Sequence, residues 1–266
     1  MTGAAPVDAL LAEAASRPFA GWDFSWLGAR LLIEPAWDYT QLVLDAARDA
    51  TDLLDMGTGG GEWLSGLPRR PSRTMATEAW PPNVPIAARR LRACGVPVVW
   101  DEGATDNVDQ TGTDPRGRLP FRTGAFHLVV NRHEAFVARE VARVLTRAGR
   151  FITQQVDDGN LDDCFGLLGL DAPREPAGTW LAVAVDQLEA AGFRIDDART
   201  GSETYRFADV GALAWYLQAV APLHREWSDF EIQHHHDALD QIHARAEHGE
   251  PIVVRQKRLL VQARLA

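Results

Sequence analysis

Short apolar runs and helically spaced segments alternate through the middle of the chain. Leu53, Leu54 and Met56, then Thr74 to Glu78, Val96 to Trp100, Phe126 to Asn131 and Arg150 to Val156 read as strands. Helical spacing fills the gaps, over Asp38 to Ala50, from Trp63 until Pro68 cuts it, over Pro85 to Ala93, over Glu140 to Thr146 and over Trp180 to Ala191. Gly149 is expected to close the fourth of these helices with φ > 0, and Gly192 to stop the fifth. Phe193 to Ala198 then reads as a sixth strand and Pro251 to Ala263 as the last.

Two regions fall outside this rhythm. Pro6 to Ser16 predicts a short amphipathic helix, followed by the dense aromatic run Phe19, Trp22, Phe24, Trp26, Trp37 and Tyr39, whose rings either pack on the sheet or line a ligand site. Tyr205 to His248 is mostly helical and carries Trp215, Tyr216 and Trp227, again open to packing or to substrate. Gly103 to Arg118 is polar and without period, which predicts a flexible excursion. The expected class is a doubly wound α/β, Rossmann-like, seven-stranded sheet with a helical lid insertion. Its parts are an N-terminal helical segment over 1–45, a ligand-binding domain over 46–204 and 250–266, and the lid over 205–249.

The chemistry centres on TDLLDMGTGGGEWL, residues 51–64, where a buried strand ending in Asp55 and Met56 runs into Gly57, Gly59, Gly60 and Gly61. A dinucleotide turn requires a small residue at the sixth position of its glycine motif, where Glu62 stands here. A carboxylate there, with Asp55 opposite, repels phosphate and suits a cationic ligand; the absence of a following Lys-Ser/Thr excludes a P-loop.

Asp55, Gly57, Gly59 and Gly61, in Asp-x-Gly-x-Gly-x-Gly, resemble motif I of class I S-adenosylmethionine (SAM) dependent methyltransferases, of the bacterial small-molecule type. Leu119-Pro120-Phe121 followed by Phe126-His127-Leu128-Val129-Val130-Asn131 is similar to that family's LPF…FDLV segment, with His127 where Asp is usual. The resemblance implies a last strand that is antiparallel and a cofactor, SAM, held by Asp55, Gly57, Thr58, Gly59, Gly61, Glu78, Trp80, Asp101 and Asn131. Glu78 lies 23 residues beyond Asp55, at the spacing of an acid that holds ribose hydroxyls, with Trp80 as an adenine platform and Asp101 for the adenine amino group.

Reacting groups are expected at the end of the fourth strand, at Asn131, His133 and Glu134. The ordinary imidazole pKa suits proton removal near neutrality, which makes His133 the candidate base. Glu134 either orients that ring, accepts a substrate amine or caps a helix beginning at Ala135; Gln154 and Gln155 are expected to face the ligand crevice. The implied reaction is methyl transfer to O or N of a small-molecule acceptor, with an RNA base as the alternative acceptor and a non-catalytic SAM-binding protein as the alternative class.

Composition narrows these readings. With 37 acidic against 27 basic residues the net charge is −10, which opposes a nucleic-acid partner. Two distant cysteines, Cys94 and Cys164, no basic leader and no long apolar run point to a cytoplasmic protein outside the membrane, monomeric or homodimeric. Neither the Asp157 to Asp163 cluster nor His234, His235 and His236 has the spacing of a metal site, so no metal is expected.

Overall fold

Eight strands form one mixed sheet in the order β1-β7-β8-β6-β5-β2-β3-β4. The protein is seen in a computed structural model that describes residues 6–20, 22–105, 117–171, 179–221 and 230–266. The strands are β1 (Leu31–Glu34), β2 (Asp52–Met56), β3 (Arg73–Glu78), β4 (Val98–Trp100), β5 (Phe126–Arg132), β6 (Leu145–Val156), β7 (Phe193–Phe207) and β8 (Ile252–Leu265). Strands β4, β3, β2, β5 and β6 are parallel, while β8 runs antiparallel to both β6 and β7.

Helices cover both faces because alternate strand residues point to opposite sides. Leu53, Leu128, Val130, Ile152 and Leu260 pack with Tyr39 and Val43 of α2 (Tyr39–Ala46), Leu64 of α3 (Glu62–Gly66) and Leu91 of α4 (Val84–Arg92). Leu54, Val129, Phe151 and Val261 pack on the other face with Val141 and Val144 of α5 (Ala138–Val144) and Leu188 of α7 (Thr179–Ala190). Each cluster buries residues of the kind that contribute about 1.5–3 kcal/mol apiece on leaving water. The LPF segment is pinned to α5, since Arg143 donates to the carbonyls of Leu119 and Phe121.

A third core stands beyond the sheet's carboxyl edge. Pairing of β8 with β6 begins at Arg258, whereas Ile252 to Lys257 pair with β7 alone, so a two-stranded ribbon projects past the parallel strands by roughly 20 Å. Strand β1 joins its outer edge through Leu31 to Glu34. On this ribbon pack α1 (Val7–Ala15), α6 (Asp162–Leu167), α8 (Val210–Val220) and α9 (His236–Glu247), with Phe19, Phe24 and Trp26 of the aromatic run against them, while Trp37 and Tyr39 pack on the parallel strands. Asp209 caps α8 by accepting from Ala212 N, and it also takes two bonds from Arg30.

Several expectations change. The sheet has eight strands, because Leu31-Leu32-Ile33-Glu34 pairs as an exposed edge too short to show a period. The sixth strand runs on to Phe207; its polar stretch is held by backbone pairing with β8 rather than by apolar residues. Helix α5 ends at Val144 and Gly149 lies inside β6, while the positive φ falls on Ala148 at 59°. Trp215 and Tyr216 are buried in the third core, with the Trp215 indole donating to Arg17 O, so neither faces a crevice. The expectations for Trp227 and for most of the polar tract fall outside the described residues. Among the described residues, no helix is long and apolar enough to cross a membrane.

Candidate functional site

The sheet reverses its strand order between β2 and β5, and the glycine turn leaves β2 at that point. In open parallel sheets the crevice outside such a reversal is where ligands collect. Gly57, Gly59 and Gly61 all take positive φ, at 66°, 63° and 81°. The conformation alone favours glycine, and space does so too: a side chain on Gly57 would lie 2.8 Å from Glu134 Oε2, and one on Gly59 would lie 2.5 Å from Trp22 Cδ1.

Strand β3 secures the turn from the side. Thr58 N donates to Thr77 O at 2.9 Å, Gly59 N to Glu78 Oε2 at 2.6 Å, and Glu78 Oε1 also takes Trp80 N at 2.9 Å. Glu78 therefore braces the turn and keeps only its remaining lone pairs for a ligand. Trp80 is exposed beside it, and the neighbouring Trp100 indole donates to Ala79 O. Asp101 sits at the end of β4 and accepts from Gly103 N at 3.3 Å.

Four acids thus converge on one turn: Asp55, Glu78, Asp101 and Glu134. Burial pushes the Asp55 carboxyl up to about 7, with the charge of Glu78 adding to the shift. Burial, then Glu78 and Asp101, push Glu134 up to about 8. Glu78 and Asp101 are themselves raised by desolvation. Such a set is short of positive charge, which a cationic ligand supplies.

The end of β5 divides its residues by role. Asn131 is fully buried: its Nδ2 donates to Glu134 O at 2.9 Å and its Oδ1 accepts from Thr153 Oγ1 at 3.0 Å and from Gln155. It shapes the strand end from within. Gln155 is spent on the same network, while its neighbour Gln154 points the other way, so both glutamines are buried.

His133 turns the chain with φ 67°, a conformation that costs a non-glycine residue energy, and its N–H donates to Gln154 O at 2.8 Å. The Trp37 indole donates to Gln154 Oε1 at 2.6 Å, so the Gln154 amide nitrogen faces His133 Nε2 at 3.3 Å. That ring nitrogen is the acceptor, and the proton of the neutral ring sits on Nδ1. Desolvation, with the charges of Arg258 and Arg132, holds His133 well below the ordinary imidazole pKa. The ring lies deep in the crevice but its surface is open, so solvent softens the first effect and leaves the two cations as the firmer cause. The ordinary imidazole pKa therefore does not apply here.

Glu134 caps no helix, since α5 begins at Ala138 with Val137 before it. Its side chain lies across Gly57. Glu62 opens α3, and its charge is taken up by Arg90, which also donates to Gly60 O at 2.7 Å and reaches Asp23 Oδ2 at 3.4 Å.

Trp22, one of the rings left open between packing and a ligand site, covers Gly59. Two contributors went unassigned in the sequence: Arg90 ties the turn to the aromatic segment, and Arg132 stands over the Trp63 ring at 5.7 Å. Of these only Arg132 carried a signal, its place between Asn131 and His133. Among the described residues no group of three or more acids, histidines and cysteines is arranged to hold a metal. Asp162 and Asp163 instead pair with Lys257 and Arg255, and His236 with Asp8. A groove of about 860 Å³ between α6, α9 and β8 is lined by none of the turn residues.

The residues at the turn fit an adenosyl cofactor. Thr58 Oγ1 is buried near the Asp55 carboxyl with no hydrogen-bond partner of good geometry among the described residues. The side chain lying across Gly57 is an acid, and the donor set is anionic.

The fold is shared with solved structures. A candidate methyltransferase from Bacillus halodurans C-125 superposes with a TM-score of 0.51 at 17% identity, over 85% of this chain and 98% of that one. The YcgJ protein from Bacillus subtilis gives 0.50 at 20% identity, over 85% and 97%. No family model and no curated protein matches the sequence.

Proposed function

We propose that the chain is a SAM-dependent methyltransferase acting on O or N of a small molecule. The observation that carries this reading is the convergence of Asp55, Glu78, Asp101 and Glu134 on a positive-φ glycine turn at the switch point of the sheet. When bound, SAM supplies an electrophilic methyl group on a sulfonium, and the protein's work is alignment and exclusion of water. Asp55, Gly57, Thr58, Gly59, Gly61, Glu78, Trp80 and Asp101 would hold it, and Asn131 would support them from within. A fold-sharing neighbour named as a candidate methyltransferase agrees with this reading.

In this reading the acceptor would sit beside the glycine turn, under the third core, which caps the carboxyl edge of the sheet. His133 is held neutral and bonded to Gln154, so it suits orienting an acceptor through Nδ1–H better than removing a proton. An acceptor that brings its own nucleophile, such as a free amine or an acidic hydroxyl, fits that arrangement. The same feature favours the second reading, a SAM-binding protein without catalysis. The net charge of −10 supports a small acceptor over RNA, in a cytoplasmic monomer or homodimer.

Calorimetric titration with S-adenosylhomocysteine beside NADH tests the proposal. Saturable binding of the first alone, weakened by Glu78→Ala, is expected. Absence of binding would remove the cofactor assignment and the chemistry placed at His133 with it.

A further inference from the structure

We propose that Arg132 and Glu134, on either side of His133, clamp the α-amino-acid end of the ligand, Arg132 taking its carboxylate and Glu134 its ammonium. This rests on the reading of the ligand as an adenosyl amino acid, and it moves Glu134 from the chemistry to the holding of the ligand.

The backbone sets the two side chains apart. Arg132 is the last residue of β5 and shares the sheet face of Val130, toward α2 and α3. The positive φ of His133 then bends the chain, and Glu134 emerges across Gly57, with its Oε1 3.2 Å from where a side chain on Gly103 would begin. Two bonds to the Glu134 carbonyl, from Asn131 Nδ2 and Gln155 Nε2 at 2.9 Å each, fix the bend. The buried amides of this strand end thus serve to place the two charged side chains.

Arg132 is exposed, and among the described residues it forms no ion pair or hydrogen bond. Its guanidinium lies over the Trp63 ring at 5.7 Å, and Trp63 is in turn fixed by Thr40 and packed on Tyr39 at 5.3 Å. A guanidinium resting over an indole without a carboxylate partner retains N–H donors for a planar carboxylate. Trp63 and Tyr39 locate it on the α2–α3 side of the turn, and its charge lowers the Asp55 carboxyl against the effect of burial.

Charge bookkeeping singles out the same pair. Among the described residues beside the four acids of the turn, Arg132 is the cation that has no carboxylate partner, since Arg90 is taken by Glu62 and Asp23. A bare adenosyl group would make no use of a guanidinium there. An α-amino acid brings one negative and one positive group on a single carbon, which an Arg and a Glu on either side of one backbone bend can divide between them.

The test is calorimetry on the full chain with three ligands: S-adenosylhomocysteine, S-adenosyl-3-thiopropylamine, which lacks the carboxylate, and 5′-methylthioadenosine, which lacks both charges. Arg132→Gln is expected to weaken the first about 10- to 30-fold and leave the second within about twofold, with Arg132→Lys recovering most of the loss. Glu134→Gln is expected to weaken both amines about tenfold and spare 5′-methylthioadenosine. Equal weakening of all three ligands by Arg132→Gln, or an unchanged affinity for S-adenosylhomocysteine, overturns the clamp. Binding of none of the three to the unaltered protein overturns the cofactor reading itself, which the variants' pattern cannot do.

Discussion

The glycine turn and the cap stand side by side above the same strand ends, and they are held by opposite means. At the turn, backbone bonds between β2 and β3 hold together acids that four strand ends force close. In the cap cohesion comes from rings far apart in sequence, with Phe19, Phe24 and Trp26 all within 6 Å of the Trp215 ring. The turn is strained for a ligand, and the cap is packed for itself. Electrostatic cost is concentrated where binding can relieve it, and apolar gain where nothing needs to move.

The largest effect should come from Trp215→Ala. Truncating this buried ring is expected to cost about 3–5 kcal/mol, lowering Tm by about 10 °C or more while changing affinity for S-adenosylhomocysteine less than fivefold below the transition. A proportionate loss of binding would mean that cap and turn are one unit. Gly59→Ala should do the reverse, since it meets Trp22 and needs positive φ. A loss of about 30- to 100-fold in ligand affinity with a shift of only a few degrees in Tm is expected, read by calorimetry and thermal melting.

The pH dependence separates the two regions next. Glu134 and Asp55 titrate higher in the folded protein than in the unfolded chain, near 8 and 7 against ordinary values of 4.5 and 3.8. Stability from such groups is complete at low pH and lost as pH rises through the folded values. Between pH 7 and 8.5, where an unfolded histidine is already mostly neutral and His133 adds little, Tm of the ligand-free protein should fall by about 3–6 °C. Glu134→Gln should flatten most of that slope, and saturating S-adenosylhomocysteine part of it. The smallest effect is expected for Arg90→Gln, which loosens the link between Asp23 and the turn. Dissociation of the ligand should quicken about threefold in stopped-flow fluorescence, with Trp22 as reporter.

The same contrast explains what was legible in the sequence. Strand, glycines and Glu78 are contiguous or at a fixed spacing, so the turn could be read from residues 51–78 alone. Strand β1 and the second half of β7 could not, because their stability is borrowed from β8 through backbone bonds that leave no mark on side-chain period. Gly149 drew the positive φ on propensity, yet Ala148 carries it. At the strand end, residue types pointed to His133 and Glu134 as reacting groups. The partners that redefine them, Gln154, Trp37 and the crowd of acids, come from four separate strands and loops. The state of a titratable group is set by such neighbours, which no local motif contains.

The projecting ribbon of β7 and β8 also acts as a ruler. Its faces alternate with each residue, so only even changes in length keep Val254 and Tyr205 turned toward the cap's core. Adding two residues to each strand would lift the cap by about 7 Å, and with it the Phe19 and Phe24 rings on which Trp22 rests. Under the proposed function the height available to a substrate would be set in steps, and related chains that handle larger acceptors are expected to differ here by pairs of residues.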